Sequence, residues 1–506
     1  MSSNKQRFIG ILLSYVTIFV SFVVAFIYTP ICIRNLGQSE NGLLVFSTSI
    51  VSYLALLSFG LGSAYIRFLT REKRKSSENG ERKINGIYLI LFTLVGVIAL
   101  ITGMVLVSYS DNLFSFKYGP ADLIIVKRLL FLLVIQTSLS FPLSIFEMYI
   151  NANEKFIFSK SLTLLSKIIS PFILIALLFL GYKSVALTLA TFIITIFIYI
   201  LEAVYSFHIL KIKIAFKLTK DDLGLIKELL IFSSFIFLNT IVDQVNTQTD
   251  TIIIGLIISA EAVTIYNVGR QFSAYFVLLS TAISSVYTPK IHNLVEVGKI
   301  DEINEIFIKV ARIQSFVMFL VFCGFLSLGK EFIYLWIGPG YEIAYYVLIL
   351  LTIASIIPLT QNVGIEVQRA MNKHKFRAIV YIIIAVLNVS ISIILCYSIG
   401  MIGCAIGTFI ATTIGQGLLL NIYNYRVIKL DIPRYFRYFI KALISSAFSC
   451  LVILGLNLIF PDYSFLDFLI KGGVLVIVFV FLFLLVSISR DERKSIGASW
   501  KKLLKR

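Results

Sequence analysis

Four polar residues recur at helical spacing within one apolar stretch of the chain. They are Asn239, Asp243, Asn246 and Asp250, at steps of four, three and four residues. On a helix these positions fall within about 60° of one another and rise by about 16 Å, roughly half the hydrocarbon thickness of a bilayer. Two carboxylates at that depth are costly unless they face water or a partner. We predict that this stripe lines a polar cavity; the alternative is that it joins neighbouring helices by hydrogen bonds.

Two further apolar stretches carry polar stripes of the same kind. One holds Asn362, Glu366, Arg369 and Lys373. The other holds Gln136, Ser140, Ser144, Glu147 and Asn151. The residues nearest the predicted cytoplasmic ends are explained by snorkelling, in which a long side chain reaches the interface. For both stripes, hydrogen bonding between helices is an equal alternative to lining a cavity.

Basic residues also stand within apolar stretches, among them Lys127, Arg128, Lys167, Arg270 and Lys471. Arg270 lies about eight residues inside its stretch, about 12 Å from the predicted outer end. An unpaired guanidinium there is expensive, so we expect a ligand anion or an acidic neighbour; the alternative is a structural ion pair with a stripe carboxylate. Lys167 lies nearer a cytoplasmic boundary, where snorkelling is an equal explanation. Arg34 ends the first apolar stretch on the predicted outer side.

The elements that must position these residues are membrane-spanning helices. Of the 506 residues, 58% are hydrophobic and only 14% are charged, with a mean hydropathy of +0.93. A soluble protein would be about half apolar and a quarter charged. The apolar residues form about fourteen blocks between Ile11 and Ser489, each of roughly the length that crosses a bilayer as a helix. This excludes a soluble enzyme and predicts an all-α integral membrane protein with about 14 transmembrane helices.

The distribution of basic residues sets the predicted orientation. The net charge is +18, with 45 lysines and arginines. Basic residues are enriched in cytoplasmic loops, and only four lie in the predicted outside loops: Arg34, Lys117, Lys183 and Lys330. We therefore predict that the N-terminus and the C-terminus are both cytoplasmic. The positive charge mainly orients the helices, so it does not indicate nucleic acid as a partner.

An internal repeat divides the predicted helices into halves. Tyr53–Ser58 matches Tyr275–Ser280 at four of six positions, an offset of 222 residues. This predicts two six-helix bundles related by a pseudo-twofold axis along the membrane normal, plus two C-terminal helices. The predicted domains are residues 1–218, residues 219–430, and residues 431–506 with helices 13 and 14 and a basic cytoplasmic tail.

No catalytic pattern is visible in the sequence. The five cysteines lie inside apolar blocks without paired spacing, which argues against a disulfide framework or a zinc site. We find no nucleophile–base pair, phosphate-binding glycine loop or metal-ligand spacing. The sequence therefore predicts no enzyme activity, no metal site and no cofactor.

Several motifs resemble one family of membrane transporters. They are Pro30–Gly42 (PICIRNLGQSENG), Phe59–Phe68 (FGLGSAYIRF), Thr249–Phe272 (TDTIIIGLIISAEAVTIYNVGRQF), Leu335–Ala344 (LWIGPGYEIA) and Gln368–Ala378 (QRAMNKHKFRA). Each motif is loose, but their order and spacing over most of the first twelve helices are more specific. The chain resembles the polysaccharide flippase branch of the multidrug/oligosaccharidyl-lipid/polysaccharide exporter superfamily.

This resemblance implies a function and a set of site residues. The family moves undecaprenyl-pyrophosphate-linked oligosaccharide from the cytoplasmic to the outer leaflet by alternating access, with H⁺ or Na⁺ as a coupling ion, in the bacterial cytoplasmic membrane. The expected residues for pyrophosphate or sugar are Arg270, Arg34, Lys167, Arg369, Asn239, Asn246 and Asn362. The expected residues for ion coupling or charge balance are Asp243, Asp250, Glu147 and Glu366.

The expected partners are the lipid-linked oligosaccharide, membrane lipids, and the glycan polymerase and glycosyltransferases of the same pathway. One alternative is a cation-coupled multidrug exporter, which shares the fold but typically has twelve helices. A second alternative is a membrane-embedded glycan polymerase or transferase. It would need a catalytic outer loop, and the longest predicted one, residues 108–122, has no obvious catalytic set.

Overall fold

The protein is all α-helical. A computed structural model describes residues 3–74, 78–216, 222–373, 375–460 and 464–486, and these ranges contain no strand. The helices are α1 (Ser3–Ser52), α2 (Leu61–Arg74), α3 (Glu78–Phe114), α4 (Pro120–Ala152), α5 (Phe156–Phe179), α6 (Ser184–Val204), α7 (Asp222–Ile257), α8 (Ala260–Ser285), α9 (Thr288–Glu296), α10 (Ile300–Trp336), α11 (Glu342–Thr360), α12 (Asn362–Ala370), α13 (Lys375–Ile399), α14 (Met401–Thr412), α15 (Leu420–Tyr423), α16 (Ile432–Ile459) and α17 (Phe465–Val486).

Four short segments depart from α-helical geometry. A 3₁₀ turn covers Tyr53–Ser58, and wider π-helical turns cover Tyr205–Ile209, Thr413–Leu419 and Asn424–Ile428. Such π-helical turns are rare in proteins and occur mostly as single turns within α-helices. One follows α6 directly, and the other two flank α15.

Many of the helices are long and apolar enough to cross a membrane. Within the described ranges, eleven helical segments meet that condition, which confirms the predicted all-α membrane protein. The longest, Phe8–Lys73, has 66 residues and would be about 99 Å long as one straight helix, about three bilayer thicknesses. It is kinked at Gly37, whose φ of 82° favours glycine. The helices α7 and α8 have 36 and 26 residues but are not among the eleven. A total of fourteen spans and cytoplasmic termini remain predictions.

Two of the predicted spans are interrupted. The second predicted span, residues 41–68, breaks between α1 and α2 at the 3₁₀ turn, where Phe59 and Gly60 both have positive φ. The tenth predicted span, residues 343–370, breaks at Gln361, between α11 and α12. A hydropathy pattern follows the apolar block as a whole and does not report a local change of backbone direction inside it.

The chain divides into two compact units, residues 1–264 and residues 265–506, and the division falls within α8. The predicted domain boundary at residue 218 lies outside the described residues, as does the basic tail beyond residue 486. The predicted division into six-helix bundles is defined by the sequence repeat and remains a prediction.

In the first unit, α1 packs on α5 and α7, while α4 packs on α3 and α6. Aromatic side chains of α2 and α3 form part of its core, with Tyr65, Tyr88 and Phe92 fully buried. The helix α4 therefore lies in the interior of this unit, with its polar stripe next to α6.

In the second unit, α10 packs on α11, α16 and α17. Phe319 of α10 and Phe479 of α17 are both fully buried in one cluster. The last two described helices are thus packed on α10 through a shared apolar core, and van der Waals packing of this kind helps to hold helices together in a membrane.

Candidate functional site

The polar stripe of α7 is partly buried in the first unit. Asp250 is 5% exposed, Asn246 is half-buried, and Asp243 is exposed. The Oδ1 atom of Asn246 is buried and has no hydrogen-bond partner among the described residues. Asp243 and Asp250 both take part in polar interactions. The side chain of Asn239 lies outside the described part of the chain.

A separate set of polar residues joins α7 to the end of α1 and the 3₁₀ turn. Ser49 donates a hydrogen bond to Gln248 Oε1 at 3.0 Å, and the hydroxyls of Tyr53 and Thr249 lie 2.6 Å apart. Gln244 also donates to the Ser52 hydroxyl. Residues beside the stripe therefore contribute hydrogen bonds between these helices, and these residues were not predicted from the sequence. The signal was present as two glutamines four residues apart, on a neighbouring face of the same helix.

The polar stripe of α4 faces a second stripe on α6. Gln136 Nε2 donates to Thr195 Oγ1 at 3.4 Å, and Ser140 is a side-chain neighbour of Tyr199. One to two turns further on, Glu147 interacts electrostatically with Glu202. We call this row of facing residues, Gln136, Ser140 and Glu147 with Thr195, Tyr199 and Glu202, the α4–α6 seam.

Glu202 is the seam residue that the sequence analysis did not identify. Its side chain is 4% exposed, and its Oε2 has no hydrogen-bond partner among the described residues. Thr195, Tyr199 and Glu202 are spaced by four and three residues, which places them on one helix face. The pattern was therefore detectable in the sequence, at the same spacing as the stripe on α4.

In the second unit, the stripe around α12 is locally satisfied. Asn362 Nδ2 donates to Ser284 Oγ at 3.2 Å, which links α12 to α8. Glu366 and Arg369 form an ion pair with a 2.6 Å separation on the same helix face. The structure therefore brings together two residues that were expected to have separate roles, one for ion coupling and one for substrate.

The remaining basic residues differ in burial. Arg270 is partly buried in α8 and takes part in a noncovalent interaction within the protein. Arg34 is exposed on α1, one turn before the kink at Gly37, and Lys167 is exposed on α5. Arg34 and Lys167 belong to the first unit, whereas Arg270 belongs to the second.

A buried ion pair lies between α10 and α17. Lys471 Nζ and Glu331 Oε2 are 3.1 Å apart, and the two residues are only 2% and 4% exposed. Lys471 falls within a predicted span, but its partner was not predicted, because the apolar block of α10 ends before Glu331. The helix itself continues to Trp336.

Two of the motifs that carry the family resemblance pack against each other. Asn41 Nδ2 donates to Thr264 Oγ1 at 3.2 Å, and Thr264 donates in turn to the Gln38 carbonyl at 2.7 Å. A β-carbon at Gly42 would lie 1.8 Å from the Ala260 carbonyl oxygen, so only glycine permits this approach. These motif residues therefore hold α1 and the start of α8 together, which is a structural role.

The fold and these polar contacts define a polytopic α-helical membrane protein with charged and hydrogen-bonding residues held between its helices. Within the described ranges, no cluster of three His, Cys, Asp or Glu side chains is arranged to hold a metal ion. The chain belongs to the family described as polysaccharide biosynthesis protein, whose model matches residues 9–295. This confirms the predicted resemblance to polysaccharide flippases.

A curated relative supports the family assignment. A probable flippase, AglR, of Haloferax volcanii is 27% identical over 175 residues, which cover 34% of this chain and 37% of the relative. The chain thus matches little more than a third of the length of this relative. Its name denotes a flippase, in agreement with the prediction of a transporter and not an enzyme.

Solved structures share the fold over most of the chain. A lipid II flippase, MurJ, in an inward closed conformation covers 94% of this chain and 98% of its own, with a TM-score of 0.73 and 19% identity. An inward-facing multidrug resistance transporter of the MATE family has a TM-score of 0.62 and 13% identity, covering 83% of this chain and 98% of its own. At these identities the similarity concerns the fold alone.

Proposed function

We propose that the protein is a flippase that moves a lipid-linked oligosaccharide from the cytoplasmic to the outer leaflet by alternating access. The observation that carries this proposal is the match to the polysaccharide biosynthesis family over residues 9–295. The flippase name of the Haloferax relative supports it. The polar groups found between helices supply what such a substrate needs inside a membrane.

The anionic part of the substrate requires basic partners. A pyrophosphate moving through hydrocarbon is stabilised by guanidinium or ammonium groups. Arg270 is the best placed of the proposed residues because it is partly buried within a helix. Arg34 and Lys167 are exposed and can meet the headgroup at the membrane surface. Arg369 contributes less, since Glu366 already neutralises it.

The sugar part of the substrate requires hydrogen-bonding groups. Asn246 supports this role because its buried Oδ1 has no partner among the described residues and can accept from a hydroxyl. The Asn362 amide nitrogen donates to Ser284 at 3.2 Å and to Ser280 at 3.5 Å, so this residue would meet a sugar through its carbonyl oxygen. The lipid tail remains in the bilayer and needs no apolar pocket in the protein.

The proposal also covers the lipid carrier, the cellular location and the energy source of transport. The carrier is undecaprenyl pyrophosphate, the location is the bacterial cytoplasmic membrane, and transport is coupled to an H⁺ or Na⁺ gradient as in an antiporter. Pathway partners are the glycosyltransferases that build the oligosaccharide and the polymerase that extends it. These assignments rest on the motifs of the sequence.

A second candidate function is a multidrug exporter, which the fold similarity to a MATE family transporter favours. A cationic drug would be repelled by Arg270 and attracted by Asp243 and Asp250. A glycan linked to pyrophosphate would be attracted by Arg270 and repelled by the two aspartates. The two candidate functions therefore predict substrates of opposite charge.

The experiment compares a deletion strain with the same strain carrying the full-length gene. We expect lipid-linked oligosaccharide to accumulate in the inner leaflet of the deletion strain, to become inaccessible to an external lectin, and to return to the outer leaflet on complementation. Unchanged leaflet distribution, combined with increased sensitivity to cationic dyes, would contradict the flippase and support the exporter.

A further inference from the structure

Two basic side chains lie against one tyrosine ring between α10 and α16 of the second unit. Arg312 Cζ is 4.5 Å from the centroid of the Tyr438 ring, and Lys441 Nζ is 5.7 Å from it. An aromatic ring attracts a cation at such distances. The two cations are therefore at most about 10 Å apart, a distance over which like charges still repel each other. An anion held between them would remove this repulsion.

Two further basic residues extend the positive charge along both helices. Lys309 precedes Arg312 by three residues, and Arg437 precedes Lys441 by four, so each pair shares a helix face. Lys309 and Arg437 are exposed. We call these five residues, the four basic ones and Tyr438, the α10–α16 basic cluster.

The nearest acidic side chain is already neutralised. Glu305, one turn before Lys309, forms an ion pair with Arg434 at 2.5 Å. The helix α17 packs on both α10 and α16, and its residues 472–486 carry no charge. With the residues that the structure describes, Lys309, Arg437 and Lys441 form no ion pair. Three positive charges of the cluster are therefore left without a carboxylate in this part of the chain.

The cluster lies at one boundary of the apolar helix segments. No charged residue follows Arg312 for the next seventeen positions of α10, and none follows Lys441 to the end of α16. The two helices run parallel, since the Glu305 ion pair joins their first turns and Asn457 donates to the Ser327 carbonyl much further along both. The cluster therefore occupies the level of the lipid headgroups, on the predicted cytoplasmic side.

Snorkelling alone does not account for this arrangement. A snorkelling side chain extends away from the protein interior toward water. Arg312 and Lys441 are half-buried, and they converge on one ring although they belong to different helices. Tyrosine is itself favoured at the membrane interface. The arrangement is that of a basic pocket between helices, which at this depth suits an anionic headgroup.

We propose that the α10–α16 basic cluster binds the phosphate headgroup of one anionic membrane phospholipid. The planar guanidinium of Arg312 suits two phosphate oxygens, and the ammonium of Lys441 adds a second positive charge. Lys309 and Arg437 attract the headgroup at the exposed rim. The acyl chains remain in the bilayer, next to apolar side chains that are exposed beyond the cluster, such as Ile444. This site does not depend on the proposed flippase function.

Lipid binding is measured by native mass spectrometry of the full-length protein in detergent. The protein is titrated with phosphatidylglycerol, and zwitterionic phosphatidylcholine is the reference lipid. We expect one saturable site that prefers phosphatidylglycerol. Each basic residue near a charged membrane surface contributes about fivefold in affinity, so R312Q/K441Q should weaken this site about 25-fold. The matched control K290Q/K375Q removes two exposed basic residues of the same unit and should leave the site unchanged.

Single variants keep the test decisive if R312Q/K441Q does not fold. K441Q should weaken binding about fivefold, whereas K441R should bind as the wild type does, because it keeps the charge. Thermal unfolding without added lipid shows whether each variant is folded.

Four outcomes would overturn the proposal. Equal binding of both lipids would remove the preference for an anion. Equal losses in the two double variants would show a general effect of charge. Displacement of the lipid by inorganic phosphate would identify free phosphate as the ligand. Tighter binding of undecaprenyl pyrophosphate than of phosphatidylglycerol would assign the cluster to the transported carrier instead of a membrane phospholipid.

Discussion

The two halves of the predicted repeat differ in whether one carboxylate has a cationic partner. An offset of 219 residues aligns the first residues of α5 and α13, Phe156 and Lys375, and it also aligns Glu147 with Glu366. In the second half, Glu366 is paired with Arg369. The corresponding position in the first half is Ile150, which is fully buried. The same helix face therefore carries a compensated charge in one half and an uncompensated charge in the other.

The helix that packs on this face also carries a carboxylate in the first half and a neutral residue in the second half. At this offset Glu202 corresponds to Asn421, which is neutral and donates to the Gly417 carbonyl at 2.8 Å. Stacked aromatic pairs nonetheless occur in both halves, Phe158 with Tyr205 and Phe376 with Tyr423, displaced by one residue at this offset. At this pair of positions, the first half therefore has two carboxylates without a cation, whereas the second half has an ion pair and a neutral amide.

The largest effect is expected at Arg270, a cation specific to the second half. At the offset of 222 its counterpart is the exposed Thr48. We expect Arg270→Ala to abolish surface glycan because the pyrophosphate of the proposed substrate loses a partly buried cation, while membrane insertion stays intact. Lectin staining of cells measures glycan display, and protease accessibility measures insertion.

The matched control for Arg270 is Thr48→Ala, for which we expect display at the wild-type level. Normal glycan display with Arg270→Ala would remove Arg270 from substrate binding. Loss of display in both variants would show that the two halves contribute equally at this position, against the comparison.

An intermediate effect on stability is expected at the buried ion pair of α10 and α17. Glu331→Gln leaves Lys471 buried without its carboxylate, which we expect to destabilise the protein by about 3–5 kcal/mol. Thermal unfolding in detergent measures the change. Glu331→Gln combined with Lys471→Met should recover most of the loss, because no uncompensated charge remains.

Thermal unfolding of Glu202→Gln in detergent compares a buried carboxylate that has no cation with Glu331, which has one. Glu202 has no cation to lose, so this variant should unfold at the wild-type temperature or above. A destabilisation as large as that of Glu331→Gln would mean that Glu202 is also compensated, and the difference between the two carboxylates would disappear.

The smallest effect is expected at the Glu366–Arg369 pair. The side chain of Arg369 is 54% exposed, and ion pairs of this kind contribute about 0–1 kcal/mol. Glu366→Gln should therefore change both the unfolding temperature and glycan display only slightly. A loss of display with a normal unfolding temperature would assign Glu366 a coupling role and make the halves alike.

The helical architecture was predictable from the sequence because hydropathy and charge distribution act over whole segments. The residues that pair with each other between neighbouring helices were not predictable from the sequence. The stripe containing Glu147 was identified, but its partner Glu202 was overlooked within an apolar block. Similarly, the pairing of Lys471 with Glu331 was not predicted, because the apolar block of α10 ends before Glu331 whereas the helix continues to Trp336. Pairing depends on which helices pack together, and one sequence does not report this.

Two of the π-helical turns form beside different side chains. Tyr205–Ile209 and Asn424–Ile428 occupy equivalent positions at the offset of 219 residues. The charges around them have diverged, as Glu202 and Asn421 show. Glu202 and Asn421 each stand three residues before their turn. The formation of this turn therefore does not depend on a charge at that position.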